Sequence, residues 1–308
     1  MDKSTFRHHL SVAGWDEWHF HAFVRSDDGN IEHYWPSDDQ VSMFGPEDLG
    51  GRFDSDPIAV WRATSTTLEL HLIGRSGMEL IDWSWPHAQV WGRTLLLGAP
   101  TVQKLPAFAV ADPEVMVSGR TIHLFAPSLD GPMRHWFSES VEGGWSGQEV
   151  LSEHPASHDV RPCAVLRAPG TLDLFSVDGE TSGLRRWFLD ADGWRSEDLS
   201  PTPAGRKLAG RPTAVSFAPD RLDVFAVRED GVPVHWGWDG TTWFGPEQRL
   251  GGEGVLPGDL QLLSTDEKQL TLVARHADAA GQPQLLSWTL DPGQGEWRGP
   301  HGVGPCPF

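Results

Sequence analysis

RPTAVSFAPDRLDVFAVREDGVPVHWGWDGTTWFGPEQRLGG, from Arg211 to Gly252, holds four short apolar segments separated by turns. The segments are PTAVSF, LDVF, VHWGW and WFGPE. The sequences between them, APDR, REDG and DG, are rich in the Gly, Asp and Pro residues that tight turns need. Short β-branched and aromatic runs bounded by such turns read as antiparallel strands joined by hairpins.

Working outward, the second segment returns five more times. It reads FHAF (Phe20 to Phe23), LHLI (Leu70 to Ile73), IHLF (Ile122 to Phe125), LDLF (Leu172 to Phe175) and LTLV (Leu270 to Val273). With LDVF, its last residues fall at 23, 73, 125, 175, 225 and 273, so the period is near 50. The third segment returns as IEHYW, LIDWSW, MRHWF, LRRWF and LLSWTL. The fourth returns as MFGPEDLGG, VWGRTLLLG, WSGQEVLS, WRSEDLS and WRGPHGVG. The first is clearest again at Pro57 (PIAVWR) and Pro162 (PCAVLR). No stretch has the i, i+3, i+4, i+7 apolar spacing of a helix.

Four short strands per repeat, six times over, predict an all-β chain: a six-bladed β-propeller in one domain. The blades are expected at about 6–51, 57–98, 106–152, 160–200, 211–252 and 256–303. A lone blade has two apolar faces, and stacking against neighbours covers both. Trp91, Trp145, Trp194, Trp243 and Trp297 open the fourth segments and suit the role of wedges between twisted sheets. Blade one has Met43 at that place.

Composition narrows the partners. Asp plus Glu is 43 against 24 Lys plus Arg, a net charge of −19. Such a surface repels phosphates, which argues against nucleic acid and anionic membrane. The expected partner is a neutral small molecule or glycan. No run of apolar residues is long enough to span a bilayer, and the first residues have no apolar leader core, so the expected location is the cytoplasm. Cys163 and Cys306 are isolated, which gives neither a zinc pattern nor a disulfide framework. His154, His158 and Asp159 sit in EHPASHD, where Pro155 and a loop setting disfavour a helical metal site. No metal and no cofactor is implied, and the phosphate-loop, nucleophile-elbow and HExxH patterns are absent.

The Arg211–Gly252 repeat resembles that of the PLL-like bacterial propeller lectins. The shared pattern is PxAV, LDVF, a DG turn, an HW pair, a second DG turn, then W and LGG. The resemblance implies a propeller with shallow sugar sites between its blades, where an aromatic ring takes the apolar face of a sugar and polar groups bond its hydroxyls. It points to His33, His135 and His235 beside Tyr34, Trp136 and Trp236, and to Arg186 at the equivalent place in blade four. The ligand-binding candidates are therefore His33, His135, Trp136, Arg186, His235 and Trp236. Adjacent strand residues face opposite ways, so the competing reading makes the rings inter-blade core.

The polar positions drift between repeats. The place before the third-segment aromatic reads His33, Asp82, His135, Arg186, His235 and Ser287. The place within the second segment reads His21, His71, His123, Asp173, Asp223 and Thr271. Six equal sites do not fit this drift; two or three sites, or one specialised site, do. The Arg-plus-Glu pairing of six-bladed fucose lectins is not repeated, although Arg25 with Glu32 and Arg75 with Asp82 have comparable spacing.

Two other readings stay open. An enzyme would use groups at the channel mouth: His8, His9, Asp56, Asp159, Arg161, Arg211 and Asp259, of which His9, Asp56, Asp159, Arg161 and Arg211 are the catalytic candidates. A protein-interaction scaffold would expose an apolar patch.

Overall fold

The computed structural model describes residues 10–14, 20–36, 43–63, 68–85, 100–106, 109–140, 143–190, 192–199, 207–247, 250, 254–255, 260–266, 269–277, 282–291 and 296–305. Six four-stranded antiparallel sheets follow one another along the chain as the blades of a β-propeller. The described residues contain no helix, and no helix of the structure is long and apolar enough to cross a membrane.

Blade one is β1 (Leu10–Gly14), β2 (Phe20–Arg25), β3 (Ile31–Pro36) and β4 (Met43–Gly50). Blade two is β5 (Ile58–Ala63), β6 (Leu68–Ser76), β7 (Glu79–Trp85) and β8 (Thr101–Pro106). Blade three is β9 (Glu114–Ser118), β10 (Thr121–Pro127), β11 (Pro132–Ser138) and β12 (Ser146–Pro155). Blade four is β13 (Cys163–Ala168), β14 (Thr171–Val177), β15 (Leu184–Asp190) and β16 (Gly193–Asp198). Blade five is β17 (Leu208–Ala218), β18 (Arg221–Arg228), β19 (Pro233–Trp238) and β20 (Trp243–Glu247). Blade six is β21 (Gln261–Asp266), β22 (Gln269–Ala277), β23 (Pro283–Asp291) and β24 (Glu296–Pro305).

One strand differs from the sequence reading. The fourth strand of blade two is TVQKLP, which pairs with β7 in unbroken register from Ser84↔Thr101 to Glu79↔Pro106. The expected VWGRTLLLG, with Trp91, lies outside the described residues. The expectation looked for an aromatic opening, whereas the register follows the regular alternation of TVQKLP.

The chain forms two compact units, residues 1–129 with 133–150, and residues 130–132 with 151–308. In the first unit, one core joins blades one and two through Phe23, Ile31, Phe53, Leu70, Leu72 and Trp83. A second joins blades two and three through Ile73, Leu105, Ile122, Leu124 and Trp136. The second unit has one core across blades four and five and another across blades five and six.

Strand alternation explains how one sheet feeds two cores. On β18, Leu222, Val224 and Ala226 pack toward blade four, while Phe225 and Val227 pack toward blade six. The third-strand tryptophans point back at the preceding blade and are bonded there. Trp236 Nε1 donates to the Leu199 carbonyl at 3.2 Å, and Trp288 Nε1 to the Leu250 carbonyl at 2.6 Å. Trp187 Nε1 donates to Ser152 Oγ at 2.9 Å. Cys163 is buried in β13, consistent with a core role.

Phe225→Ala empties a fully buried position and is expected to lower unfolding free energy by about 3–5 kcal/mol. Met78→Ala, at an exposed turn, is expected to stay within ~0.5 kcal/mol. Urea titration of both variants checks this; equal losses would mean that the blade faces are not the core.

Candidate functional site

In blades one to five the drifting polar positions of the second and third strands share one face of their sheet and bond to one another across it. In blade one, His21 Nδ1 lies 2.7 Å from His33 Nε2, and His33 Nδ1 lies 2.9 Å from Glu47 Oε2. Blade three repeats this with His123, His135 and Glu149, both contacts at 3.0 Å. A carboxylate can only accept, so His33 and His135 donate to it through Nδ1 and accept through Nε2. The phenyl rings of Phe23 and Phe125 stack on His33 and His135 at 5.0 and 4.7 Å.

Blade four builds the chain from charges. Arg186 bonds Asp173 through Nε at 2.6 Å and Glu197 through Nη1 at 2.5 Å. Arg167 also bonds Asp173. In blade five His235 Nε2 meets Asp223 Oδ1 at 2.9 Å, and Phe225 stacks on the ring at 4.6 Å. In blade two His71 Nδ1 meets both Asp82 oxygens at 3.0 and 3.1 Å.

The repeated FGPE phrase sets the end of some of these chains. In blade one the register steps from Trp35↔Phe44 to His33↔Glu47, so Gly45 and Pro46 together oppose Tyr34. This is a β-bulge, which re-aims the following side chain. It brings Glu47 to the face that holds His33. Gly45 has φ +120°, and a Cβ there would lie 2.6 Å from the His33 carbonyl oxygen, so only glycine fits. Blade five has the same step between Gly237↔Phe244 and His235↔Glu247. In blade four WRSED has one residue fewer, and Arg186↔Glu197 pair in plain register. The sequence signal was present in the Trp-to-Glu spacing, which is three residues in WRSE and four in WFGPE.

The six sequence-predicted binding residues sit inside this framework. His33, His135, Trp136, Arg186, His235 and Trp236 are all buried, at 0–6% exposure. His235 and Trp236 face opposite blades, the alternation that the competing reading invoked. What reaches solvent is the far end of each chain: the side chains of Glu47, Glu149 and Glu197 are 22%, 51% and 37% exposed. The sequence reading missed these glutamates. Of the residues with comparable Arg-to-acid spacing, Arg75 lies 3.8 Å from Asp112, and Asp82 bonds His71. Arg25 lies 3.6 Å from Asp56, and Glu32 accepts from the Tyr34 hydroxyl at 2.8 Å.

The channel-mouth candidates are in separate settings. Asp56 is buried beside Arg25 in the first unit. In the second unit, Asp159 is exposed on a turn and Arg211 Nε donates to the Pro162 carbonyl at 3.3 Å, with Arg161 half-buried. His8, His9 and Asp259 lie outside the described residues. EHPASHD is the end of β12 and a turn.

Two seams between consecutive blades bring aromatic and polar groups together, and one of them opens into a cleft. Between blades two and three, a cleft of about 490 Å³ is lined by Gln103, Lys104 and Leu105 of β8, by Trp136, and by Trp145 and Gln148. The Trp145 indole donates to Asp82 Oδ2 of blade two at 3.0 Å. Between blades four and five, the Trp243 indole donates to Glu197 Oε1 of blade four at 2.9 Å. The Arg186 guanidinium lies 5.3 Å from the Trp243 ring and 5.5 Å from the Trp238 ring, in cation–π range. At both seams a carboxylate of one blade fixes the wedge tryptophan of the next.

No protein-family model matches the chain, and no curated protein matches it. Solved structures do. The BP39L lectin of Burkholderia pseudomallei matches with a TM-score of 0.70 at 20% identity over 96% of this chain and 85% of that one. The Aleuria aurantia lectin, a six-bladed propeller described with its fucose recognition mode, matches at 0.58 and 13% identity over 98% of both chains. AofleA of Arthrobotrys oligospora matches at 0.59 and 13% identity over 97% and 87%. At these identities the likeness establishes the fold, the six-bladed β-propeller.

The histidine pairs make the chain acid-labile. Burial, helped by the charge of its partner, holds His21 down at about 4, and burial alone does the same to His33. Burial and the charge of His135 lower His123 to about 4, and burial lowers His135 against the pull of Glu149. A lowered imidazole contributes stability above its unfolded value near 6.5 and loses it as pH falls toward 4. Urea midpoints are expected to drop between pH 7 and pH 4.5, by a loss on the order of a few kcal/mol. An unchanged midpoint over that interval would mean that the pairs are not held neutral.

Proposed function

We propose that this chain binds carbohydrate non-covalently, in clefts between consecutive blades. The observation that carries this is the cleft between blades two and three, where the flat face of an indole is fixed beside amide and ammonium groups. A pyranose needs an apolar plane for its C–H groups and fixed donors and acceptors for its hydroxyls. Trp145 supplies the plane; Gln103, Gln148 and Lys104 supply the polar groups. The seam between blades four and five offers a second set of groups, with Trp243 as the plane and Glu197 as acceptor.

Two further facts support the reading. The Aleuria aurantia lectin, similar in fold, has been crystallised with α-methyl-L-fucoside and with Fucα1-6GlcNAc. The net charge of −19 favours a neutral ligand over a polyanion. The buried candidates His33, His135, Trp136, Arg186, His235 and Trp236 then act by holding the exposed groups in place. Trp136 also borders the cleft between blades two and three. The two seams differ in their groups, so a few sites of different strength are expected.

A glycan array with the purified protein, followed by titration with α-methyl-L-fucoside and any glycan retained, tests the proposal. Trp145→Ala is expected to weaken binding at least tenfold at one site, and Glu197→Gln to weaken it at another. A retained glycan unaffected by either change would move the sites elsewhere on the propeller. A blank array at high protein concentration would end the carbohydrate reading.

A further inference from the structure

One buried chain in blade two is centred on a histidine; its parallel in blade four, where Arg167 bonds Asp173 and the Pro219 carbonyl of blade five, has Arg186 as its second cation. Arg62 on β5 is fully buried, and its Nη1 donates to both the carbonyl and the Oγ of Ser138 on blade three, each at 3.1 Å. Its Nε donates to Glu69 Oε2 at 2.6 Å. That same oxygen lies 3.8 Å from His71 Nε2. His71 Nδ1 bonds Asp82, and Asp82 accepts from the Trp145 indole, again on blade three. The chain therefore leaves blade three at Ser138, crosses blade two, and returns to blade three at Trp145, on the edge of the 490 Å³ cleft.

The imidazole of His71 has a carboxylate beside each ring nitrogen. Nδ1–H donates to Asp82, and Nε2 lies 3.8 Å from Glu69, beyond hydrogen-bond length but within reach of charge attraction, so the two carboxylates together favour the imidazolium. Charges then alternate along the chain: Arg62 positive, Glu69 negative, His71 positive, Asp82 negative. The sum is zero only with the proton on His71. Blade three contributes the uncharged Ser138 and Trp145, and β8 places Gln103 opposite Asp82.

We propose that His71 and Asp82 are positioning residues for the cleft between blades two and three, and that the Trp145 indole is held in its binding orientation by a proton resident on His71. This rests on reading that cleft as a binding site. Loss of the proton leaves a net negative charge buried in the chain and a weaker partner for Asp82. Asp82 is then free to reorient, and the indole that it holds loosens. Burial opposes charge on His71, but Asp82 and Glu69 outweigh it and raise the imidazole above its ordinary value. A raised group contributes below its unfolded value and loses the contribution as pH rises through the folded one. The hold on Trp145 is therefore lost on the alkaline side of pH 6.5.

Blade four is the internal comparison. There the group behind the carboxylate is Arg186, whose guanidinium keeps its charge at every accessible pH. The hold of Glu197 on Trp243 should not titrate with it.

The test is the indole N–H spectrum of the full chain labelled with ¹⁵N-tryptophan, recorded from pH 6 to pH 9. Trp145→Phe and Trp243→Phe identify the two resonances by their loss. The Trp145 resonance is expected to move in a single transition above pH 6.5, and the Trp243 resonance to stay put. His71→Gln should abolish the transition, and Asp82→Asn should shift the Trp145 resonance at constant pH. The comparison of the two resonances in the unaltered protein stands even if those variants fold poorly. A static Trp145 resonance, or a transition that survives in His71→Gln, overturns the proposal. Titration with α-methyl-L-fucoside across the same range separates this from the carbohydrate reading. Sugar affinity that falls with the indole transition supports both, whereas a moving resonance with no sugar bound at any pH removes the sugar and leaves the positioning chain. Sugar bound with a static resonance does the reverse.

Discussion

A four-stranded sheet with apolar side chains on both faces is unstable in water until another sheet covers each face. That constraint orders this molecule. Leu222, Val224 and Ala226 are covered by one neighbour and Phe225 and Val227 by the other, and the same division recurs from blade to blade. Wherever two faces meet, a polar group costs free energy unless it is bonded. The second- and third-strand polar residues therefore bond to one another inside the sheet face, and only the fourth-strand end of the chain reaches solvent.

On the proposed carbohydrate-binding reading, this arrangement joins stability to recognition. The cleft groups, Trp145 in one place and Trp243 with Glu197 in another, are the outer members of chains whose inner members are buried. A repeat can change its inner members from His–His to Asp–Arg or His–Asp and keep its apolar stacking. Each change alters the charge behind the cleft without altering the blade. Divergence among the six repeats thus gives clefts of different character on one scaffold.

The histidines illustrate how context sets chemistry. His21 and His33 share a face with each other and stay neutral to about pH 4, because burial is not offset by enough negative charge. His71 is as deeply buried, but Asp82 and Glu69 flank it, and the same residue type holds its proton instead. The two kinds of chain therefore respond to pH in opposite directions, one losing stability as pH falls and the other as pH rises.

The period near 50, the four strands and the alternation of LDVF were legible because each depends on local pattern repeated six times. The fourth strand of blade two was not, since TVQKLP has no aromatic to mark it and only pairing with β7 selects it. The site was half legible. The sequence singled out His33, His135, Arg186 and His235 as the variable polar positions, yet it could not tell a side chain bonded within a buried face from one offered to a ligand. Glu47 escaped notice because a bulge, whose effect on register appears only when strands pair, brings it beside His33. What the sequence alone determined is the blade, because hydrophobic alternation and turn residues act over a few positions. What the tertiary structure decided is which polar groups are partnered and which are presented, because that depends on the next blade, about 50 residues away.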